Sequence, residues 1–204
     1  MRCFGDGDPE YERYHDDEWG RPVTDDRGLY ERMTLEAFQS GLSWLTILRK
    51  REAFREAFAG FDAEAVARFG DDDVARLMAD ARIVRNRQKI DAAIANARAL
   101  ADLHDGGSTL AELVWSARPD PDPPAPRAME DVPAFTDASK ALAKELKRRG
   151  FRFLGPTTVY AGMQACGVVN DHIATCVARE ACERERSAAL AATDPRIRAR
   201  GRPG

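Results

Sequence analysis

The feature that most constrains the fold is a helical period that recurs along the chain. In "DDRGLYERMTLEAFQSG" (25–41), apolar residues stand at Leu29, Met33 and Phe38, close to the spacing of one helix face. "TDASKALAKELKRRG" (136–150) opens on residues that cap helices, carries basic residues in its last turn and stops at a glycine. Other stretches repeat this pattern, and we find no convincing strand and no internal repeat. The sequence therefore predicts an all-α fold.

Charge and hydropathy argue against a membrane protein and a secreted protein. The chain has 204 residues and a formal net charge of -3. It contains no apolar run near the ~20 residues that a membrane span needs. Its first residues, "MRCFGDGDPEYERYHDDEWG", are polar and acidic, unlike a signal peptide. We therefore expect a soluble cytoplasmic protein with no membrane partner.

Two segments depart from the acidic balance. Residues 82–98 hold five basic side chains against one acidic, and residues 140–152 hold six against one. Concentrated positive charge in an acidic chain is typical of a surface that meets phosphates. Solvated helix faces explain the same pattern, and the charges alone do not decide between the two interpretations.

A possible metal site lies in "NDHIATC" (170–176). On a helix, His172 and Cys176 would share one face, about one turn apart. A zinc site usually has four ligands, and Cys3 with His15 would complete a set of two thiolates and two imidazoles. Cys166 fits the same helix face poorly, and Cys182 is a possible substitute ligand. Two ordinary buried side chains are the alternative, because cysteine is often buried.

Four longer stretches together resemble one family, the bacterial 3-methyladenine DNA glycosylases of type I. They are "YHDDEWG" (14–20), "LEAFQSGLSWLTILRKRE" (35–52), "ARIVRNRQKIDAAIANARA" (81–99) and "RRGFRFLGPTTVYAGMQACGVVNDH" (148–172). The resemblance implies the helix-hairpin-helix glycosylase fold, as a single domain over 1–180 with its hairpin near 72–99. It also implies one structural Zn²⁺ per chain, joining the N-terminal segment to the C-terminal helix through Cys3, His15, His172 and Cys176. Residues 181–204 have few large apolar side chains, which predicts a flexible tail.

The resemblance also assigns residues to the damaged base. Glu36 matches the carboxylate that hydrogen-bonds the extruded base and is the expected catalytic residue. Tyr14 and Trp44 match aromatic contacts to the base. Phe4 stands close to where the family commonly has a tryptophan, and we expect it to contact the base as well. Without the resemblance, the sequence favours an exposed helix glutamate at Glu36, and the alternative for Tyr14 and Trp44 is packing in the core.

Further residues match the family's contacts to DNA. Leu42 corresponds to the wedge that fills the gap left by the base, and Gly41 beside it allows close approach of the backbone. Arg85, Arg87 and Lys89 follow the hairpin and would contact phosphates. The family often has a glycine where this chain has Arg82.

The resemblance thus implies a monofunctional enzyme. We expect a monomer that flips 3-methyladenine out of alkylated double-stranded DNA and hydrolyses its glycosidic bond, associated with the nucleoid through DNA. One alternative is a bifunctional glycosylase with lyase activity, which needs a nucleophilic lysine. Another is a zinc-stabilised helical DNA-binding module that has lost catalysis.

Overall fold

A computed structural model describes residues 1–5 and 7–193. Over this part of the chain all regular structure is helical, which confirms the predicted all-α class. The α-helices are α1 (Pro9–Asp17), α2 (Asp26–Gln39), α3 (Trp44–Ala57), α4 (Ala63–Ala67), α5 (Asp71–Ala79), α6 (Arg87–Asp105), α7 (Leu110–Ser116), α8 (Asp137–Arg148), α9 (Pro156–Ala165) and α10 (Arg179–Thr193). None of these helices is long and apolar enough to span a membrane.

The chain divides into two compact units that alternate in sequence. One contains Met1–Thr24, Pro119–Pro133 and the chain from Met163 onwards; we call it the terminal unit. The other contains Asp25–Arg118 and Ala134–Gly162; we call it the central unit. The single domain predicted for residues 1–180 stays a prediction.

The central unit is built on α2, α3 and α6. Phenylalanine rings form much of its core: Phe38 lies 4.7 Å from Phe54 and Phe58 lies 5.8 Å from Phe61, measured between ring centroids. The inner face of α6 is rich in small residues, including the buried Ala93. The hydroxyl of Tyr30 donates to the carbonyl of Ala93 (2.9 Å), so α2 is tied to α6 by a buried hydrogen bond as well as by apolar packing.

Helix ends follow the capping signals in the sequence. The side chain of Asp62 accepts a hydrogen bond at the start of α4, and Thr136 with Ser139 forms a capping box at the start of α8. At the end of α8, Gly150 has φ 94°, and the N–H groups of Gly150 and Phe151 donate to Lys147 and Leu146. This is a Schellman motif, which a glycine makes without strain.

The predicted hairpin region consists of α5 and α6 joined by residues 80–86. Asn86 caps α6, its side chain accepting from the N–H of Lys89 at 3.2 Å. Arg82 is paired with Asp80 and Glu56. It is not among the described non-glycine residues with positive φ, so the loop forms without a glycine there.

The C-terminal helix expected to carry His172 and Cys176 on one face does not include residues 170–176. Helix α9 ends at Ala165, and Gly167 (φ 69°) completes a Schellman motif in which Val168 donates to Met163 and Gly167 donates to Gln164. The chain then runs through turns until α10 begins at Arg179. We call residues 167–178 the metal loop, because it carries His172 and Cys176.

The flexible tail predicted from residue 181 is also wrong as far as Thr193. Residues 179–193 form α10, in which Cys182 and Arg186 are buried. The scarcity of large apolar side chains predicted a flexible segment, but α10 packs through the buried side chain of Arg186 instead. The rest of the predicted tail, 194–204, lies outside the described residues.

Candidate functional site

The four predicted metal ligands meet in the terminal unit. The ligand atoms of Cys3, His15, His172 and Cys176 all lie within 4.8 Å of one another. Sγ of Cys176 is 3.4 Å from Nε2 of His15 and 3.2 Å from Nδ1 of His172, and Sγ of Cys3 is 3.5 Å from the same Nδ1. Two sulfurs and two imidazole nitrogens are a common donor set for tetrahedral zinc. The residues therefore fit a metal ion.

The second nitrogen of each histidine has its own partner. Nδ1 of His15 donates to Asp16 (2.8 Å), whose carboxylate Arg2 holds at 3.0 Å. Nε2 of His172 donates to the carbonyl of Trp19 (3.0 Å). These bonds turn Nε2 of His15 and Nδ1 of His172 toward the cysteine sulfurs. Metal-bound histidines are typically oriented in this way.

Burial disfavours the charged forms of two side chains in the cluster. It raises the pKa of the Cys3 thiol to about 12, so the thiolate is disfavoured there. It lowers the pKa of His172 to about 4, so the imidazole is neutral. A neutral imidazole is the form that binds a metal, and a divalent ion would favour the thiolates by its own charge.

The predicted catalytic carboxylate lies in the central unit. Glu36 is in the third turn of α2 and is 7% exposed, so the alternative of an exposed helix glutamate is excluded. Burial raises its pKa to about 8, and the positive charge of Arg32 offsets only part of this effect. Such a shift marks a candidate site because burial without full compensation costs stability. A buried carboxyl group of this kind suits a cationic ligand.

The loop between α2 and α3 carries three of the predicted residues. Gly41 adopts φ 84°, and the N–H of Leu42 donates to the carbonyl of Gln39 (2.6 Å). The side chain of Leu42 is 41% exposed, which is unusual for a leucine. Ser43 caps α3, and Trp44 is its first residue, half-buried. The backbone geometry thus presents Leu42 to the outside.

Tyr14 and Phe4 belong to the terminal unit. Tyr14 is 2% exposed, and its ring centroid lies 6.4 Å from that of the partly buried Phe4. Phe4 also packs on Tyr11 (4.9 Å) and Trp19 (5.1 Å). The structure therefore places Phe4 and Tyr14 in one aromatic cluster.

The structure separates the three cations predicted to contact DNA. Arg85 is exposed, and Arg87 is exposed while paired with Asp91 at 3.0 Å. Lys89 is 7% exposed, and its ammonium donates to the carbonyls of Phe38 (2.9 Å) and Ser40 (2.6 Å). The prediction that Lys89 contacts a phosphate is corrected on this ground, because its donors already serve the C-terminal carbonyls of α2.

Sequence reasoning missed two kinds of supporting residue. Lys89 ties α6 to the end of α2, next to the loop that carries Leu42, and its place among other basic residues concealed this role. Asp16 orients His15, and its position directly after a candidate ligand was the available signal.

Comparisons with known proteins agree on one family. A family described as methyladenine glycosylase matches residues 4–180. The DNA-3-methyladenine glycosylase 1 of Escherichia coli (strain K12) is 47% identical over 170 residues, which is 83% of this chain and 91% of that protein. The DNA-3-methyladenine glycosylase of Haemophilus influenzae is 41% identical over 173 residues, 81% of this chain and 90% of its own length. A crystal structure of 3-methyladenine DNA glycosylase I superposes with a TM-score of 0.83 at 47% identity, covering 87% of this chain and 98% of that one.

Proposed function

Because this chain belongs to the methyladenine glycosylase family, we propose that it hydrolyses the glycosidic bond of 3-methyladenine in alkylated double-stranded DNA and leaves an abasic site. The main support within this chain is the burial of Glu36 in α2, which raises the pKa of its carboxyl group to about 8. A protein that only bound DNA would have no use for a costly buried carboxyl group.

The chemistry suits a site with few reactive groups. Methylation at N3 makes adenine cationic in DNA, so the base is already a good leaving group. The enzyme has to remove the base from the stack, bind it and favour bond breakage. Glu36 accepts a hydrogen bond from the exocyclic amino group and faces the positive charge. Trp44, in the same unit, offers a π-face, which attracts a cation. For Tyr14 and Phe4, the contact with the base rests on the resemblance alone.

The loop between α2 and α3 supports extrusion of the base. Leu42 enters the duplex and occupies the space that the base has left, as apolar wedges do in other DNA-bending proteins. Gly41 has no side chain, and a Cβ at this position would meet nothing within 4 Å, so its positive φ is what requires glycine. Lys89 supports this loop from beneath by holding the carbonyl of Ser40.

Phosphates are bound at the start of α6. The first N–H groups of a helix attract anions, and Arg85 and Arg87 are exposed at this end. The carboxylate of Asp91 offsets part of the positive potential of Arg87, so Arg85 is the stronger of the two contacts.

We assign one Zn²⁺ to Cys3, His15, His172 and Cys176. Four protein ligands leave no position for an activated water, so the ion has a structural role. It would join two segments of the chain, with Cys3 and His172 169 positions apart in sequence, and the closure of such a long loop is where a crosslink offsets most entropy.

A direct assay tests the activity. Purified protein incubated with methylated duplex DNA should release free 3-methyladenine, and the abasic product should stay unbroken until alkali is added. Absence of free base would refute the proposal. Strand cleavage without alkali, or a covalent adduct trapped by borohydride, would show a lyase mechanism with a lysine nucleophile instead.

A further inference from the structure

Helix α10 and the proline-rich segment, residues 118–135, have no part in the function proposed above. The methyladenine glycosylase family matches residues 4–180, so nearly all of α10 lies beyond the region that the family shares. Both segments nevertheless contact the metal loop within the terminal unit. Their contacts suggest what they do.

Arg186 is the central residue of these contacts. It is 1% exposed, the largest fully buried side chain of the described chain. Its Nε donates to the carbonyl of Gly167 (2.7 Å) and one terminal nitrogen donates to the carbonyl of Val168 (3.1 Å). Those two residues form the turn by which the chain leaves α9 and enters the metal loop. A buried guanidinium holding two backbone carbonyls is costly unless it is fully paired.

Two acidic side chains complete the pairing of Arg186. Asp122, from the proline-rich segment, accepts at 3.0 Å, and Glu183, one turn earlier on α10, accepts at 2.9 Å. Glu183 also accepts from the amide of Asn170 in the metal loop (3.0 Å). One arginine thus connects α10, the proline-rich segment and the entrance of the metal loop.

A second set of contacts holds the loop nearer the ligands. The guanidinium of Arg179 donates to the carbonyls of Asn170 (3.0 Å) and His172. From the proline-rich segment, the carbonyl of Pro126 accepts from the N–H of Ala174 at 2.8 Å. Met129 packs against the small apolar cluster that contains Ile173 and Cys176. These contacts hold the loop on both sides of His172 and on the N-terminal side of Cys176.

We propose that α10 and the proline-rich segment position the metal loop, with Arg186 as the residue that locks them to it. Unlike a helix, an irregular loop does not by itself hold His172 and Cys176 at ligand distance. The contacts of Arg186 and Arg179 replace the missing helical hydrogen bonds. Arg186 touches neither the metal ligands nor the base, so it acts as a positioning residue. This proposal rests on the metal assigned above.

The test measures how long the protein keeps zinc. Arg186→Met removes the donors and keeps an unbranched apolar side chain, and Arg184→Met is the matched control because Arg184 is exposed on the same helix. Zinc-loaded proteins are mixed with excess chelator, and zinc release is followed with a colour indicator. Hydrogen bonds of charged groups support an expected acceleration of roughly ten- to a hundredfold for Arg186→Met. Arg184→Met should match the wild type.

Two further measurements keep the result decisive. Replacing zinc by Co²⁺ should give Arg186→Met a changed absorption spectrum, because displaced ligands alter the geometry around the ion, while a general loss of stability alone would leave the bands in place. If Arg186→Met does not fold, Asp122→Asn removes only one charged partner, and it should release zinc faster than the wild type. The proposal would be overturned if the Arg186 and Arg184 variants released zinc at equal rates. If only Asp122→Asn folds, a release rate equal to that of the wild type would overturn it. A wild type that holds no zinc would instead refute the metal assignment.

Discussion

The buried carboxyl group of Glu36 makes the stability of the protein depend on pH in a defined direction. Its pKa is about 8 in the folded chain against 4.5 for an unperturbed glutamate. Between these values the folded state keeps a proton that the unfolded state releases. Stability therefore falls as pH rises from about 4.5 to about 8. At 1.36 kcal/mol per unit, the full difference is on the order of 5 kcal/mol, as an upper limit.

Glu36→Gln removes this dependence because glutamine does not titrate. Relative to the wild type, the variant should gain stability steadily between pH 5 and pH 8, by a few kcal/mol in total, and nothing further above pH 9. Urea unfolding at several pH values measures the difference. Glu64→Gln is the control, since Glu64 is exposed on α4. Parallel stability curves for the wild type and Glu36→Gln would refute the burial argument.

The same variant should lose activity while it gains stability. A charge-assisted hydrogen bond contributes about 1.5–3 kcal/mol, so excision of 3-methyladenine should slow by roughly ten- to a hundredfold at pH 8–9. For the wild type, kcat/KM should rise through a pKa near 8, because that parameter reports the free enzyme. Single-turnover release at equal metal content is the measurement. Equal rates for the two proteins would remove Glu36 from the site.

Three other predictions follow from the structure. Cys176→Ser should bind zinc more weakly and melt at a lower temperature, which elemental analysis and calorimetry would show; a wild type free of zinc after purification without chelator would contradict it. Arg85→Glu should weaken binding to all DNA sequences alike and flatten the salt dependence of the affinity, and a sequence-dependent loss would speak against a phosphate contact. Lys89→Met should lower the stability of the fold, because the carbonyls of Phe38 and Ser40 lose their donor, and it should leave the salt dependence of DNA affinity nearly unchanged. A flattened salt dependence would show that Lys89 contacts a phosphate.

Local signals in the sequence were sufficient for several helices and their ends, such as α4 and α8. Capping residues such as Asp62 and Thr136 act through bonds to neighbours three residues away, so a short window contains the whole interaction. The four metal ligands could be proposed because cysteine and histidine are scarce in this chain. Their roles as a set still came from the resemblance, since spacing alone left the buried-pair alternative open.

Two of the three errors share one physical origin, which is pairing between residues far apart in sequence, and the third is a helix end set by local hydrogen bonds. Lys89 looked like one more cation of a basic segment, but its partners are carbonyls about 50 positions away. Residues 170–176 looked helical because their period was right, but Gly167 ends the helix before them. The segment from residue 181 looked flexible because it has few large apolar side chains, while three partners of Arg186, on Gly167, Val168 and Asp122, lie in other segments.

Lys89 and Arg186 show how a buried cation can organise a loop that chemistry needs. Each places its donors on backbone carbonyls where a helix ends: Lys89 at the end of α2, and Arg186 just after α9. The last four carbonyls of a helix, which include that of Phe38 in α2, lack a partner within the helix, and the carbonyls of Gly167 and Val168 lie beyond α9; a cation suits both places. In each case the chain directly beyond carries a residue of the proposed function, the wedge Leu42 in one and the ligands His172 and Cys176 in the other. Because a loop has no hydrogen-bond ladder of its own, the buried cation before it supplies the rigidity that the exposed or metal-binding residue requires.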